Sequence, residues 1–325
     1  MSVGKVTQEM IDSVVNRRSF LTGAGAIGIG AAAATLVGCS NYNSMSSTTT
    51  VMASGSTDTA TQIFTAALIA EDLAITTYYN ALIGGVIKDP NLANGGTAVN
   101  VSAGGSVVNV AYLQAALLEE VQHAQLLRTL LGLSPTGSGD VGAGVPATFY
   151  YPTGTFDTLT NFVPLLLALE TAFVGAYMTA VEEFASMAAG YNGFSSTQAN
   201  PAMSGSNYTQ ADLILYAKVA ASILGVEAEH RALIRAIPSV TIASPTIGTT
   251  NVLPANNVNY ESQADLTGLI VGVGGTSTTA AAALTPFLAA SSAQSAGFSF
   301  TTANAGFSSV ITAGVTTSGT IPSAE

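Results

Sequence analysis

The sequence predicts an all-α fold built as a four-helix bundle, and three observations predict it. Four long apolar segments, about 58–88, 109–131, 160–189 and 209–236, carry helical spacing and are bounded by helix caps and stops. Both histidines of the 325-residue chain stand three places after a glutamate, in Glu120-Val121-Gln122-His123 and Glu227-Ala228-Glu229-His230. With 11 Glu in 325 residues, random placement would do this roughly once in a thousand, so the spacing is treated as a signal. Finally, the pattern recurs. Glu71 is followed seven residues later by Tyr78, and Glu170 seven later by Tyr177, so the chain reads Glu, Glu-x-x-His, Glu, Glu-x-x-His, one helical hairpin used twice.

The first segment starts at Asp58 or Thr59, either of which can cap it, and is expected to run to Lys88 before Asp89-Pro90. Glu71 shares a face with Phe64, Ala67, Leu68, Ala74, Ile75 and Tyr78, a carboxylate on an apolar stripe; Asp72, one step around, competes for the inward place. The second segment runs from about Asn109 to Leu131, with Gly132 as its stop. The three-residue step to His123 favours Glu120 over Glu119 as its companion, although Glu119, four residues before, also fits a helical face. The third runs from about Thr160 to Ala189, with Pro164 expected in its first turn. Its Glu170 stands among Val163, Leu166, Leu167, Phe173, Val174 and Tyr177, while Glu182 and Glu183 are expected to face water. The fourth starts at Thr209, where Thr209 and Asp212 resemble a capping box, and ends before Pro238. Leu213, Tyr216, Ala220, Ile223, Glu227, His230 and Ile234 recur along it at three- and four-residue steps.

A helix turns about 100° per residue, so residues i and i+3 lie side by side. Each Glu-x-x-His therefore offers a carboxylate and an imidazole to one point. Two such helices, with one inward glutamate from each of two others, make the ligand set of a dinuclear metal site in a bundle. Four carboxylates packed together in an apolar core repel one another, and two divalent cations would neutralise them. Carboxylate and imidazole donors suit iron or manganese, and zinc also binds such sets. Tyr78 and Tyr177 are expected as core aromatics with bonded hydroxyls; near the metals they could bond a ligand carboxylate or donate an electron. Arg128 and Arg235, five beyond each histidine, are expected to point away and pair with surface acids or with the acids of a neighbouring helix.

Composition narrows the partners. Net charge is −11 with eight Lys and Arg scattered through the chain, which excludes a nucleic-acid surface. Phe162 to Val181 is a 20-residue stretch with one charge, long enough to span a bilayer, but every helix carries acid mid-span, where acid is costly. At the N-terminus, Asn16-Arg17-Arg18-Ser19-Phe20-Leu21 and the Gly/Ala-rich run after it resemble a bacterial twin-arginine export signal. Leu36-Val37-Gly38-Cys39 resembles a lipobox, which makes Cys39, the only cysteine, a lipidation candidate and the one expected membrane attachment. The expected organisation is a signal over 1–39, a Ser/Thr-rich tether over 40–57, a helical domain over 58–237 and an irregular Gly/Ser/Thr-rich extension over 238–325. In that extension, 266–275 and 279–290 could form short strands or helices. The loops at 89–108 and 134–157 could each form a short hairpin.

Over about residues 58–237 the order of motifs resembles the ferritin-like superfamily, specifically exported bacterial ferritin-like domain proteins related to plant desiccation-related proteins. That resemblance implies that Glu120 and Glu227 bridge two metal ions, iron first and manganese second. It implies that Glu71 with His123 completes one ion and Glu170 with His230 the other. The expected function is redox chemistry on O₂ or peroxide in the periplasm or cell envelope, as a ferroxidase or in peroxide detoxification. A manganese catalase-like enzyme uses a similar ligand order. A protective envelope protein without catalysis is the expectation from a different class.

Overall fold

The computed structural model describes residues 58–84, 107–137, 145–189, 200, 202, 206–235 and 280–311. The export signal, the tether, Cys39, the segment 266–275 and the side chain of Arg235 lie outside the described residues. Those described are mostly helical, as expected.

Four long helices carry the structure: α1 (Ala60–Ile83), α2 (Val107–Leu130), α3 (Leu159–Ala188) and α4 (Gln210–Arg235). Between α2 and α3 lies the strand β1 (Thr148–Tyr151). After α4 come α5 (Ala280–Leu288), the strand β2 (Ala296–Ser299), α6 (Phe300–Gly306) and a 3₁₀ turn (Phe307–Val310). Helix α1 packs along α2 and α3 along α4, with further contacts between α1 and α3 and between α2 and α4.

Local chemistry sets the helix ends. Thr59 caps α1 in a capping box: the Gln62 amide donates to the Thr59 hydroxyl at 3.2 Å, and the Thr59 amide donates to the Gln62 side chain at 2.8 Å. Helix α1 stops at Ile83, with Gly84 extended, five residues before the expected end at Lys88. A side chain at Gly84 would stand 2.5 Å from the Asn80 carbonyl, which explains glycine there. Gly132 at φ 69° closes α2. The amides of Gly132 and Leu133 donate to the carbonyls of Thr129 and Arg128 at 3.0 and 2.8 Å, the two bonds of a Schellman motif. Thr158 caps α3, so Pro164 falls in the second helical turn and not the first. It therefore costs α3 one backbone bond. Thr209 and Asp212 form the box expected at α4, with bonds of 2.7 and 3.1 Å.

Among the described residues, the loop before α3 makes no local hairpin with β1. The partner of β1 is β2, antiparallel, with Thr148 opposite Ser299 and Tyr151 opposite Ala296. The reason is apolar: Tyr151 is fully buried and its ring meets Phe156, Phe287 and Phe298. Its hydroxyl lies 3.0 Å from that of Thr77 on α1. In the tail, 279–290, expected as a short strand or helix, holds the helix α5, and the ordered part continues beyond it to 311. It is held down by its few large apolar residues, Leu284, Phe287, Phe300 and Val310, all buried. The Gln114 side chain donates to the Val310 carbonyl at 2.7 Å and ties it to α2.

Helix α3 contains one stretch, Asn161–Ala188, long and apolar enough to cross a membrane by length and composition, and over half of its most apolar window is buried inside the protein. Glu183, expected to face water, is buried, as is Arg231 on the neighbouring α4. Arg128 is buried and donates to the Ser134 carbonyl at 2.8 Å. The acid it faces is Asp72 on α1, which is buried too and not at the surface.

Candidate metal centre

Helical phase delivers the six candidate side chains to one place. Glu71 comes from α1, Glu120 and His123 from α2, Glu170 from α3, and Glu227 and His230 from α4. All four glutamates and His230 are at most 2% exposed, and His123 is 12% exposed. They form two four-residue groups, each with ligand atoms within 4.8 Å of one another: Glu71, Glu120, His123 and Glu227, and Glu120, Glu170, Glu227 and His230. Glu120 and Glu227 belong to both.

The atoms divide cleanly. His123 Nδ1 lies 3.4 Å from each of Glu71 Oε2, Glu120 Oε2 and Glu227 Oε1. His230 Nδ1 lies 3.0 Å from Glu120 Oε1, 3.6 Å from Glu227 Oε2 and 3.8 Å from Glu170 Oε2. These eight atoms fall into two sets of four with none used twice. All eight are buried, and none has an aligned hydrogen-bond partner among the described residues. Unpaired buried polar atoms are costly, and a cluster of them pointing inward fits a cation held between them. The donors are oxygen and imidazole nitrogen, with no thiolate, a set that suits iron or manganese.

The outer oxygens of the two unshared glutamates are already taken, and the bonds cross. Tyr78 of α1 donates to Glu170 Oε1 of α3 at 2.6 Å. Tyr177 of α3 donates to Glu71 Oε1 of α1. Each tyrosine, seven residues after its own glutamate, fixes the other helix's glutamate. Within one sequence the Glu–Tyr spacing suggested a shared face, not this exchange. Asp72, the competitor for the inward place, lies beside Arg128 instead.

Two further residues shape the site. Glu119, left open as a ligand by spacing, turns away from His123 and stands 2.8 Å from His230 Nε2, on the far side of that ring. Tyr112 donates to the His230 backbone carbonyl at 2.8 Å. Tyr112 lies eight residues before Glu120 on α2, a spacing that could have flagged it.

Electrostatics follow from burial. Burial first, then the charges of Glu227 and Glu71, pushes Glu120 well above the carboxylate range. Glu170 is pushed up to about 8, with burial again the main cause. Burial would raise Glu227 too, but the imidazoles of His123 and His230 beside it outweigh burial and hold it below its ordinary value. Burial disfavours charged imidazoles, yet the surrounding carboxylates raise both histidines well above theirs. Without metal, protons therefore supply the charge that four packed carboxylates require.

Compared with protein-family models, with curated proteins and with solved structures, the chain gives no match.

Proposed function

We propose that the four long helices form a ferritin-like four-helix bundle holding two divalent metal ions, iron first and manganese second, for redox chemistry with O₂ or peroxide. One observation carries the reading: eight buried, unpaired donor atoms divide four and four about the two imidazoles. In this reading Glu120 and Glu227, which belong to both groups, would help to hold both ions. Glu71 and His123 complete one set, and Glu170 and His230 the other. When bound, such a pair supplies two adjacent one-electron carriers, so an oxygen species can accept electrons two at a time.

The chain's own residues do the rest. Tyr78 and Tyr177 hold the outer oxygens of Glu170 and Glu71, leaving the inner oxygens aimed at the cluster. Glu119 accepts from His230 Nε2, which leaves the Nδ1 lone pair facing the donors. Burial of the glutamates excludes water, and loading must release the protons that the free cluster holds. As part of the same proposal, the resemblance of residues 16–39 to an export signal with a lipobox at Cys39 supports a setting in the cell envelope.

Elemental analysis of the full chain tests it. The expected result is two ions per chain, with iron or manganese in excess of zinc, and none in a Glu120→Ala, His123→Ala double variant. An unaltered metal content in that variant would remove the proposal. O₂ release from peroxide by a manganese-loaded protein would move the reading to a catalase-like enzyme. A stress-protective role that survives in the double variant would move it to a structural one.

A further inference from the structure

Beside the cluster lies an apolar hollow of about 30 Å³, walled by Ala66 and Ala70 of α1, Ala172 and Ala176 of α3, and Leu284 of α5, with Tyr177 as its polar corner. Its shape has a simple origin. Alanines four residues apart stack along one face of α1 and again along one face of α3, and side chains that short leave space between the helices. The tail helix α5 completes the wall. Tyr177 links the hollow to the site, because it lines the one and its hydroxyl bonds Glu71 in the other.

We propose that this hollow is the holding and entry site through which dioxygen reaches the metal pair, with α5 as its outer wall. The proposal rests on the metal reading above and names the oxidant for it. Size and polarity select the occupant. A cavity needs about 10–15 Å³ of such volume for one water, so the hollow admits a diatomic molecule. Lined by alanine, leucine and phenylalanine, it offers water or peroxide almost no partners. The Tyr177 hydroxyl is already engaged by Glu71. Peroxide would leave its hydrogen-bond donors unsatisfied there, which disfavours it. Dioxygen has none to satisfy, and apolar cavities of this kind stay dry and take up apolar gases.

Xenon-pressurised crystals of the full chain read the hollow directly, independently of any metal. Xenon density beside Ala66 and Tyr177 is expected, and it should vanish in Ala283→Phe, which plugs the hollow from the tail without altering a helix that bears donors. In iron-loaded protein, Ala283→Phe should slow oxidation by O₂ at least tenfold while oxidation by peroxide and the two-ion content stay unchanged. Ala66→Leu, on the opposite wall, serves as the second variant should the first fail to fold. Absence of xenon, or an unchanged O₂ rate in a plugged variant that keeps both ions, overturns the passage. A wild-type chain that takes up no iron overturns the metal reading instead, whatever xenon does.

Discussion

His230 is 1% exposed, and its Nε2 rests 2.8 Å from Glu119; His123, its counterpart in the other helical pair, is 12% exposed. The difference can be traced to two residues. Glu119 and Tyr112 both brace His230, and both lie on α2. At the matching distances before His230 on α4 stand Val226 and Val219, which can brace nothing by hydrogen bonding. The repeat thus reproduces the donors and the tyrosines that brace the glutamates, but not the support of the histidine. Moreover, all the support crosses from one helical pair to the other: Tyr78 to Glu170, Tyr177 to Glu71, Glu119 to His230. Neither pair is complete without the other, and the His230 half is the better enclosed.

The largest effect should come from abolishing what the halves share. Glu227→Ala removes a donor from both sets, and elemental analysis should find the metal content falling from two ions per chain to near zero. His123→Ala and His230→Ala should each leave one ion. Equal loss of both ions in the single-histidine variants would show that the halves do not act separately.

Next in size is the brace itself. Glu119→Gln should weaken the ion on the His230 side about 10–100-fold, as loss of an imidazole's outer partner does, and leave the other ion alone. Competition with a chelator measures this. Val226→Glu sharpens the comparison by offering His123 the brace it lacks, and should bring the two affinities closer.

Crossed tyrosines give a smaller, diagnostic effect. Tyr177→Phe leaves a buried Glu71 oxygen unbonded, at about 1–3 kcal/mol. The ion whose affinity drops should be the one held by His123, although Tyr177 belongs to the other pair. Calorimetric titration that found the His230 side weakened instead would refute the crossing.

Acidity provides the mildest test. Glu170, ordinarily at 4.5, is raised to about 8, so between those values the folded chain keeps a proton that the unfolded chain releases. Both histidines, raised above 6.5, do the same above that pH. Stability of the metal-free protein should therefore fall as pH rises from about 6.5 to 8, by a few degrees of melting temperature. Glu227, lowered, acts only below about 4.5, where its contribution is lost as pH falls. With metal in place of the protons the slope should reverse, since loading favours deprotonated ligands.

What the sequence made legible follows from distance along the chain. Glu-x-x-His is a statement about one helical turn, and the caps at Thr59, Thr209 and Gly132 are equally local. The position of the six side chains in one cluster follows from four such local phases combined. Glu183, Asp72 and Arg128 were harder, because their burial depends on what the neighbouring helix presents. The tyrosine exchange joins residues 92 and 106 positions apart, and no periodicity reports a contact of that range. The pairing of β1 with the tail was invisible for the same reason.

That pairing also orders events in time. Ser299 lies 151 positions after Thr148, so β1 leaves the ribosome long before its partner strand has been made. Phe149 and Tyr151, which end fully buried, are meanwhile bare on the nascent chain. Closing so long a loop is a late and slow event, and exposed aromatics of this kind are what chaperones recognise. The strand β2 therefore acts as a clasp on β1 that can shut only once Ala296–Ser299 have been translated. A premature stop before Ala296 would release a chain with an open sheet edge, prone to aggregate.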